Sequence, residues 1–344
     1  METIRTKLRP LISVVAPCYN EEESLREFHA RAAGACGALT NSYEIVLVDD
    51  GSKDSTWSII EELADADPHV VGVRLLRNHG HQLAATAGLH VANGERVMLI
   101  DADLQDPPEL LQAMMAQMDE GADVVYGQRA SREGETWFKL ATAGLFYRLL
   151  TKLTSVPIPR DTGDFRLMSR RVVDLFLLMP ERQRFIRGMV SWIGGKQVAL
   201  PYERHARFAG TSKYPLSKMI RFAVDAITSF STVPLRIAVW VGLITAGFSM
   251  LLLLYALYQW SQNVVVAGWA SIITAIAFLG GLQMLMLGVF GEYLGRLVQE
   301  TKGRPLFMVK SIRVGKQLHD VPSNFSRLEP GMRDDVVATW SGNN

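Results

Sequence analysis

Through the first third of the chain, short apolar runs alternate with longer stretches of helical periodicity. Leu11–Ala16, Tyr43–Val48, Val70–Leu76, Arg96–Ile100 and Asp123–Tyr126 are predicted strands. Between them lie predicted helices over about Ser24–Leu39, Ser55–Ala66, Gln82–Ala92 and Pro108–Asp119. Strands that are apolar throughout, rather than every second residue, fit burial on both faces. Their alternation with helices points to an α/β fold with a parallel, doubly wound sheet. In such sheets ligands bind beyond the carboxyl ends of the strands. All five predicted strands end in polar groups: Tyr19–Glu21, Asp49 and Asp50, Asn78, Asp101 and Asp103, and Arg129.

Further along, Trp137–Thr151 reads as amphipathic, and Asp161–Leu167 as a loop running into a short strand or turn. Leu216, Met219, Ile220, Ala223, Val224, Ile227 and Phe230 recur at helical spacing beside Lys218 and Arg221. That pattern predicts a helix lying in a membrane surface over 215–234. From Ile237 to Gly291 there is no Lys, Arg, Asp or Glu. A spanning helix takes roughly 20 apolar residues, and this stretch holds two, about Ala238–Tyr258 and about Trp269–Phe290. Gln259–Asn263 would turn between them. Lys213, Lys218, Arg221 and Arg236 precede the pair, Arg296, Lys302, Arg304 and Lys310 follow it, and the connection has no basic residue. By the positive-inside rule both flanks are cytoplasmic. The expected organisation is a cytoplasmic catalytic domain over 1–214, the surface helix, a two-helix transmembrane hairpin within 235–291, and a cytoplasmic tail over 292–344. The tail from Ser311 carries no motif and is expected either to pack on the catalytic domain or to be mobile.

Composition narrows the chemistry. With 344 residues and a net charge of +1, the chain has no bulk attraction for polyanions, and no nucleic-acid partner is expected. Cys18 and Cys36 make neither a disulfide framework nor a metal-ligand spacing. The charged start, Met1–Pro10, has no apolar core of the secretory kind. No Gly-x-Gly-x-x-Gly follows the first strand and no Gly-x₄-Gly-Lys-Ser/Thr occurs, so a bound phosphate would need a metal and basic side chains instead. Asp101 and Asp103 share one face of the strand end. They suit a hard divalent cation that draws its other ligands from substrate phosphates, or simply an Asp-rich turn. Between Glu181 and Arg221 there are nine Lys or Arg against two Glu. Anionic headgroups would account for such a run, but not for Arg204 and Arg207 beside Gly210–Tyr214, a turn able to wrap a bound group.

The motifs Val14–Glu22, Val48-Asp49-Asp50-Gly51-Ser52 and Asp101–Pro108 resemble those of family 2 glycosyltransferases of GT-A fold. Asp161–Leu167, Glu181–Gly188, Arg204–Tyr214, the two spans and Gly291–Arg296 narrow the resemblance. They are similar to the polyisoprenyl-phosphate glycosyltransferases, which include dolichol-phosphate mannose synthase and the bactoprenol glucosyltransferases. The bactoprenol branch is the nearer, and the likeness runs from about Ile12 to Val309. The resemblance implies that Pro17, Tyr19 and Glu21 hold the nucleoside, while Val48 and Asp50 contact base and ribose. Asp101, Ala102 and Asp103 would bind the diphosphate through Mg²⁺ or Mn²⁺, assisted by Gln105. Arg129, Arg204, Arg207 and Lys213 fall among the implied phosphate-side and catalytic positions. Cys18 departs from the family pattern without evident consequence.

The implied reaction is an inverting displacement at the sugar's anomeric carbon. A sugar, glucose from UDP-glucose first, would pass to undecaprenyl or another polyprenyl phosphate at the cytoplasmic face of a bacterial inner membrane. Mannose, N-acetylhexosamine and 4-amino-arabinose donors stay open. The implied assembly is a homo-oligomer, a tetramer being the first form to test. Asp164 sits where a base, or a group ordering the acceptor site, would sit; Arg166, Arg184 and Arg187 are candidates to separate it from an anionic acceptor. A processive polysaccharide synthase would need more spans and Gln-x-x-Arg-Trp, whereas Gln183–Arg187 lacks the Trp and Trp192 is misplaced. A non-enzymatic membrane nucleotide-sugar binder would keep the loops without needing both carboxylates.

Overall fold

A computed structural model describes residues 10–129, 162–203, 233–262 and 268–320. The chain forms two compact units, one built from the two ends of the sequence and one holding the apolar hairpin. In the first unit the order is β1 (Ile12–Cys18), α1 (Leu25–Gly37), β2 (Tyr43–Asp49), α2 (Thr56–Ala66), β3 (Val70–Leu75), α3 (His81–Val91) and β4 (Arg96–Leu99). A 3₁₀ turn (Pro108–Leu110), α4 (Leu111–Asp119) and β5 (Val124–Arg129) follow. Then come β6 (Thr162–Ser169), α5 (Arg170–Leu178), α6 (Ile186–Ile193), β7 (Gln197–Tyr202) and, after the hairpin, β8 (Val309–Val314) and β9 (Gln317–Asp320).

These strands make one nine-stranded sheet in the order β7-β5-β6-β4-β1-β2-β3-β8-β9. All seven residues of the central β1 are buried, as expected of a strand covered on both faces. Alternation divides its side chains: Ile12, Val14 and Ala16 join the core with Leu25, Phe28 and Ile60, while Val15 faces α3. That second contact is close. A Cβ on Gly88 of α3 would lie 2.4 Å from Val15 Cγ1 and 2.9 Å from Val48 Cγ2. Gly51 has φ +68°, and a Cβ there would stand 2.7 Å from the Arg77–Asn78 backbone. The loops after β2 and β3 therefore meet only because this residue is glycine.

β1 to β4 are mutually parallel, but the sheet as a whole is mixed, which corrects the all-parallel expectation. β6 runs antiparallel between β4 and β5, pairing Leu99 with Arg166 on one side and Gln128 with Thr162 on the other. Its start thus lies at the edge where β1–β5 end, and Asp164 arrives beside Asp101. The run expected to be a loop entering a short strand is an eight-residue strand. Its apolar signal is broken by Asp164 and Arg166, both buried.

The stretch after the hairpin also joins this sheet. β8 pairs antiparallel with β3, and β9 with β8. Ile312 lies across from Val73 and is buried. Ile312→Ala is expected to lower unfolding free energy by about 2–4 kcal/mol, the scale for truncating a buried Ile. Denaturant titration in detergent measures this. A loss under about 1 kcal/mol, the scale of a surface change, would mean that the strand only rests on the sheet edge.

The second unit contains α7 (Val233–Ser261) and α8 (Trp269–Thr301), which pack on each other. Both are long and apolar enough to cross a membrane. Trp240, Ile244, Leu251, Ile276 and Phe278 are exposed along them, as expected of surfaces that meet lipid. Each helix outruns its expected span. At 33 residues, α8 is about 50 Å long, so its charged last turns, with the Arg296–Glu292 pair at 3.2 Å, extend past a hydrocarbon layer of about 30 Å. Trp137–Thr151 and the expected surface helix up to its last residues lie outside the described residues.

Candidate active site

The loops leaving β1 and β2 are laced together by their own backbones. Asn20 N–H donates to Ser52 Oγ at 3.0 Å, and Lys53 N–H donates to Asn20 Oδ1 at 2.9 Å. Glu21 N–H donates to Thr56 Oγ1 at 2.9 Å, and Ser55 N–H to Glu22 Oε2 at 3.0 Å. Asn20 holds φ 56°, a conformation Asn tolerates better than most residues. Tyr19 is left exposed at the rim. Ser24 Oγ donates to the Glu21 carboxylate at 2.8 Å.

Asp50, at the end of β2, accepts from the backbone N–H groups of His79 (2.7 Å) and Gly80 (2.9 Å). Burial raises its pKa, against the pull of those two donors. The same hydrogen bonds shape the start of α3, where Gly80 adopts φ 94°.

Beyond β4, Asp101 and Asp103 follow each other around a turn in which Leu104 adopts φ 60°. A buried leucine in that conformation marks a backbone held against its preference. Asp103 Oδ1 accepts from Gln105 N–H at 3.1 Å. Asp101 Oδ1 lies 3.4 Å from His81 Nε2, and that nitrogen is also 3.4 Å from Asp164 Oδ2. Burial pushes Asp101 up to about 6; the charges of Asp164, Asp106 and Asp103 add to the rise and His81 opposes it. Burial alone would lower His81, but Asp164 and Asp101 raise it to about 9. The imidazole is therefore a cation at neutral pH, set between two carboxylates.

Asp164 is buried and surrounded. Gln82 Nε2 donates to its Oδ2 at 2.5 Å and Arg187 Nε to its Oδ1 at 3.2 Å. Burial would raise its pKa, yet Arg187, His81 and Arg166 overcome that and hold it well below the usual carboxylate range. Arg187 also donates to Thr162 O at 3.0 Å. Arg166 turns back on its own strand, donating to the carbonyls of Asp164 and Gly163 at 3.2 Å each. Arg184 takes a different part from the one expected. It donates to the carbonyls of Phe176 (3.2 Å) and Met179 (2.6 Å), closing the carboxyl end of α5.

Pro17, Tyr19, Glu21, Asp50, Asp101, Ala102 and Asp103 line one open cleft of about 200 Å³, together with Asn78, Gly80 and His81. Val48 is fully buried in β2, beneath this surface. Arg129 is placed by β5 next to the start of β6, where its Nη2 would lie 3.3 Å from a Cβ on Gly163. It pairs with the Tyr202 hydroxyl, which itself donates to Asp106 Oδ1. Arg204, Arg207 and Lys213 lie outside the described residues. His81 and Gln82 were not expected. The available signal was their place directly after the polar end of β3, at the mouth of the same edge.

The donor set suits a divalent cation that is only partly ligated by protein. Asp101 and Asp103 both line the cleft. Among the described residues no three His, Cys, Asp or Glu converge as a closed metal cage. Mg²⁺ and Mn²⁺ accept such sites, filling their shells from phosphate oxygens and water.

A model of Glycosyl transferase family 2 matches residues 13–176, and one of the GtrB C-terminal hairpin matches residues 233–297. An uncharacterized glycosyltransferase of Bacillus subtilis, YkcC, is 44% identical over 87% of this chain and 93% of its own length. A prophage bactoprenol glucosyl transferase homolog of Escherichia coli K12 is 41% identical over 88% of this chain and 99% of its own. The bactoprenol glucosyl transferase of Shigella phage SfX is 41% identical over 87% and 99%. The chain belongs to glycosyltransferase family 2. The family 2 match ends within α5 and spans every element that lines the cleft. The hairpin match coincides with the two long apolar helices, and the glycosyltransferase is membrane-associated through them.

Proposed function

We propose that this glycosyltransferase moves glucose from a uridine-diphosphate donor to a polyprenyl phosphate at the cytoplasmic face of the membrane. The observation that carries the reading is the pairing of two differently charged halves at one sheet edge. Asp101 and Asp103 border the open cleft, and the Asp164–Arg187 pair stands beside them across His81. Near-full-length relatives called bactoprenol glucosyl transferase support both the sugar and the lipid.

On this reading the nucleoside lies along Pro17–Glu21 and Asp50, and the diphosphate reaches Asp101 and Asp103. A bound Mg²⁺ or Mn²⁺ would supply Lewis-acid stabilisation of charge on the departing diphosphate. Arg207 and Lys213 would add fixed positive charge, as pre-placed groups do, and Arg129 and Arg204 would support the phosphate side. The acceptor phosphate is a monoester with a second pKa near 6, so at cytoplasmic pH it is mostly a dianion and already nucleophilic. Asp164 has no proton to take from it. Held ionised by Arg187 and His81, Asp164 orders the acceptor side. The basic residues flanking the two apolar helices favour cytoplasmic flanks, the side on which nucleotide sugars are made.

The test mixes membranes holding the protein with radiolabelled UDP-glucose, undecaprenyl phosphate and Mg²⁺. Label is expected in the organic phase, and it should be lost with chelator and regained with Mg²⁺ or Mn²⁺. A panel of nucleotide sugars in the same assay fixes the donor. No lipid-borne label from any of them would sink the reading.

A further inference from the structure

Gln82 lies outside the cleft lining, yet its side chain joins two elements that lie far from it along the chain. Its Oε1 accepts from Ile186 N–H at 2.9 Å, at the first residue of α6. Its Nε2 donates to Asp164 Oδ2 at 2.5 Å, on β6. The backbone N–H can only donate, so the amide oxygen must face Ile186 and the amide nitrogen must face Asp164. The orientation is dictated by the network, and neither half of the amide is spare.

The consequences reach the next residue of α6. Arg187 follows Ile186 directly and pairs with the other oxygen of Asp164. Asp164 is thus gripped by Gln82 on Oδ2 and Arg187 on Oδ1, while Gln82 also ties the start of the helix that carries Arg187. With Gln82 removed, Oδ2 keeps, among the described residues, the longer contact with His81 at 3.4 Å. The carboxylate could then rotate, and Arg187 would lose its fixed mate.

We propose that Gln82 is a positioning residue for the acceptor half of the site, one that sets the Asp164–Arg187 pair to receive the lipid phosphate while leaving nucleotide binding untouched. The inference rests on the functional reading above.

Two variants separate its two bonds. Gln82→Met fills the space and makes neither bond. Gln82→Glu can still accept from Ile186 but turns a second carboxylate toward Asp164. In the glucosyl-transfer assay, Gln82→Met should raise KM for undecaprenyl phosphate about tenfold or more, the scale of losing a hydrogen bond to a charged group. KM for the donor and the affinity for uridine diphosphate with Mg²⁺, read by calorimetry, should stay within about twofold of wild type, less than one ordinary hydrogen bond is worth. Gln82→Glu should raise the acceptor KM further than Gln82→Met, although it keeps the tie to α6. A merely structural role would lower donor and acceptor affinity together and would rank Gln82→Glu as the milder change. Unchanged acceptor KM in either variant, or an equal loss of uridine diphosphate binding, overturns the inference. A wild-type protein that moves no label to lipid would overturn the functional reading, and this inference with it.

Discussion

Asp103→Asn is expected to cut kcat on the order of 10³-fold, about 4 kcal/mol of transition-state stabilisation, in protein that still folds. Asn keeps the size of the side chain and an oxygen to accept from Gln105 N–H, the bond now made at 3.1 Å. The turn, with Leu104 at φ 60°, therefore has no reason to unwind. What is lost is the charge of one of the four carboxylates that line the cleft, and with it the Asp101–Asp103 pair that suits a hard cation. Melting temperature should hardly move, while the Mg²⁺ concentration needed for half-maximal activity should rise steeply. Near-normal turnover with an unaltered metal titration would show that Asp103 belongs to the turn and not to the chemistry.

Asp164→Asn should behave in the opposite sense. Its carboxylate pairs with Arg187, lies 3.4 Å from His81 and accepts from Gln82, so losing its charge removes the anionic partner from a buried ion pair. Uncompensated buried charge is costly, of order 3–5 kcal/mol when one partner of a buried pair is removed. The variant should therefore melt well below both wild type and Asp103→Asn. Its activity should nevertheless survive better, with a loss on the order of 10- to 10²-fold, because a dianionic acceptor needs no base worth the 10²–10⁴ that proton transfer contributes. Measuring kcat and melting temperature on both variants gives a crossed ranking. Comparable abolition by both, with Asp164→Asn folded at the assay temperature, would assign Asp164 a chemical step.

These two residues also mark how far the sequence could be read. β1 to β5 were legible because their apolar runs are short, continuous and separated by helical periods. Asp101, Asp103, Asp50 and Tyr19 were legible because strand ends in such sheets are where ligands go. β6 was not recognised as a full strand, since Asp164 and Arg166 interrupt it with charges that are buried only through long-range pairing. β8 escaped for a different reason: Lys310, Ser311 and Arg313 break its apolar signal without a period of two, and such a run reads as tail until β3 is known to need a neighbour. Gln82 was invisible as chemistry because both its partners lie far along the chain, at Asp164 and Ile186. Arg184 shows the converse. Its charge drew it into the expected phosphate neighbourhood, but the geometry spends it on closing a helix.

The return of the chain to β3 orders events during synthesis. β8 and β9 emerge from the ribosome only after both apolar helices, roughly a hundred residues behind β7, or about 5–20 s at ordinary translation rates. Over that interval, while the two apolar helices are being made, β3 presents an open edge of unpaired N–H and C=O groups of the kind that recruits foreign strands. β8 closes that edge by pairing with β3, so the sheet can be completed only once both apolar helices have been made.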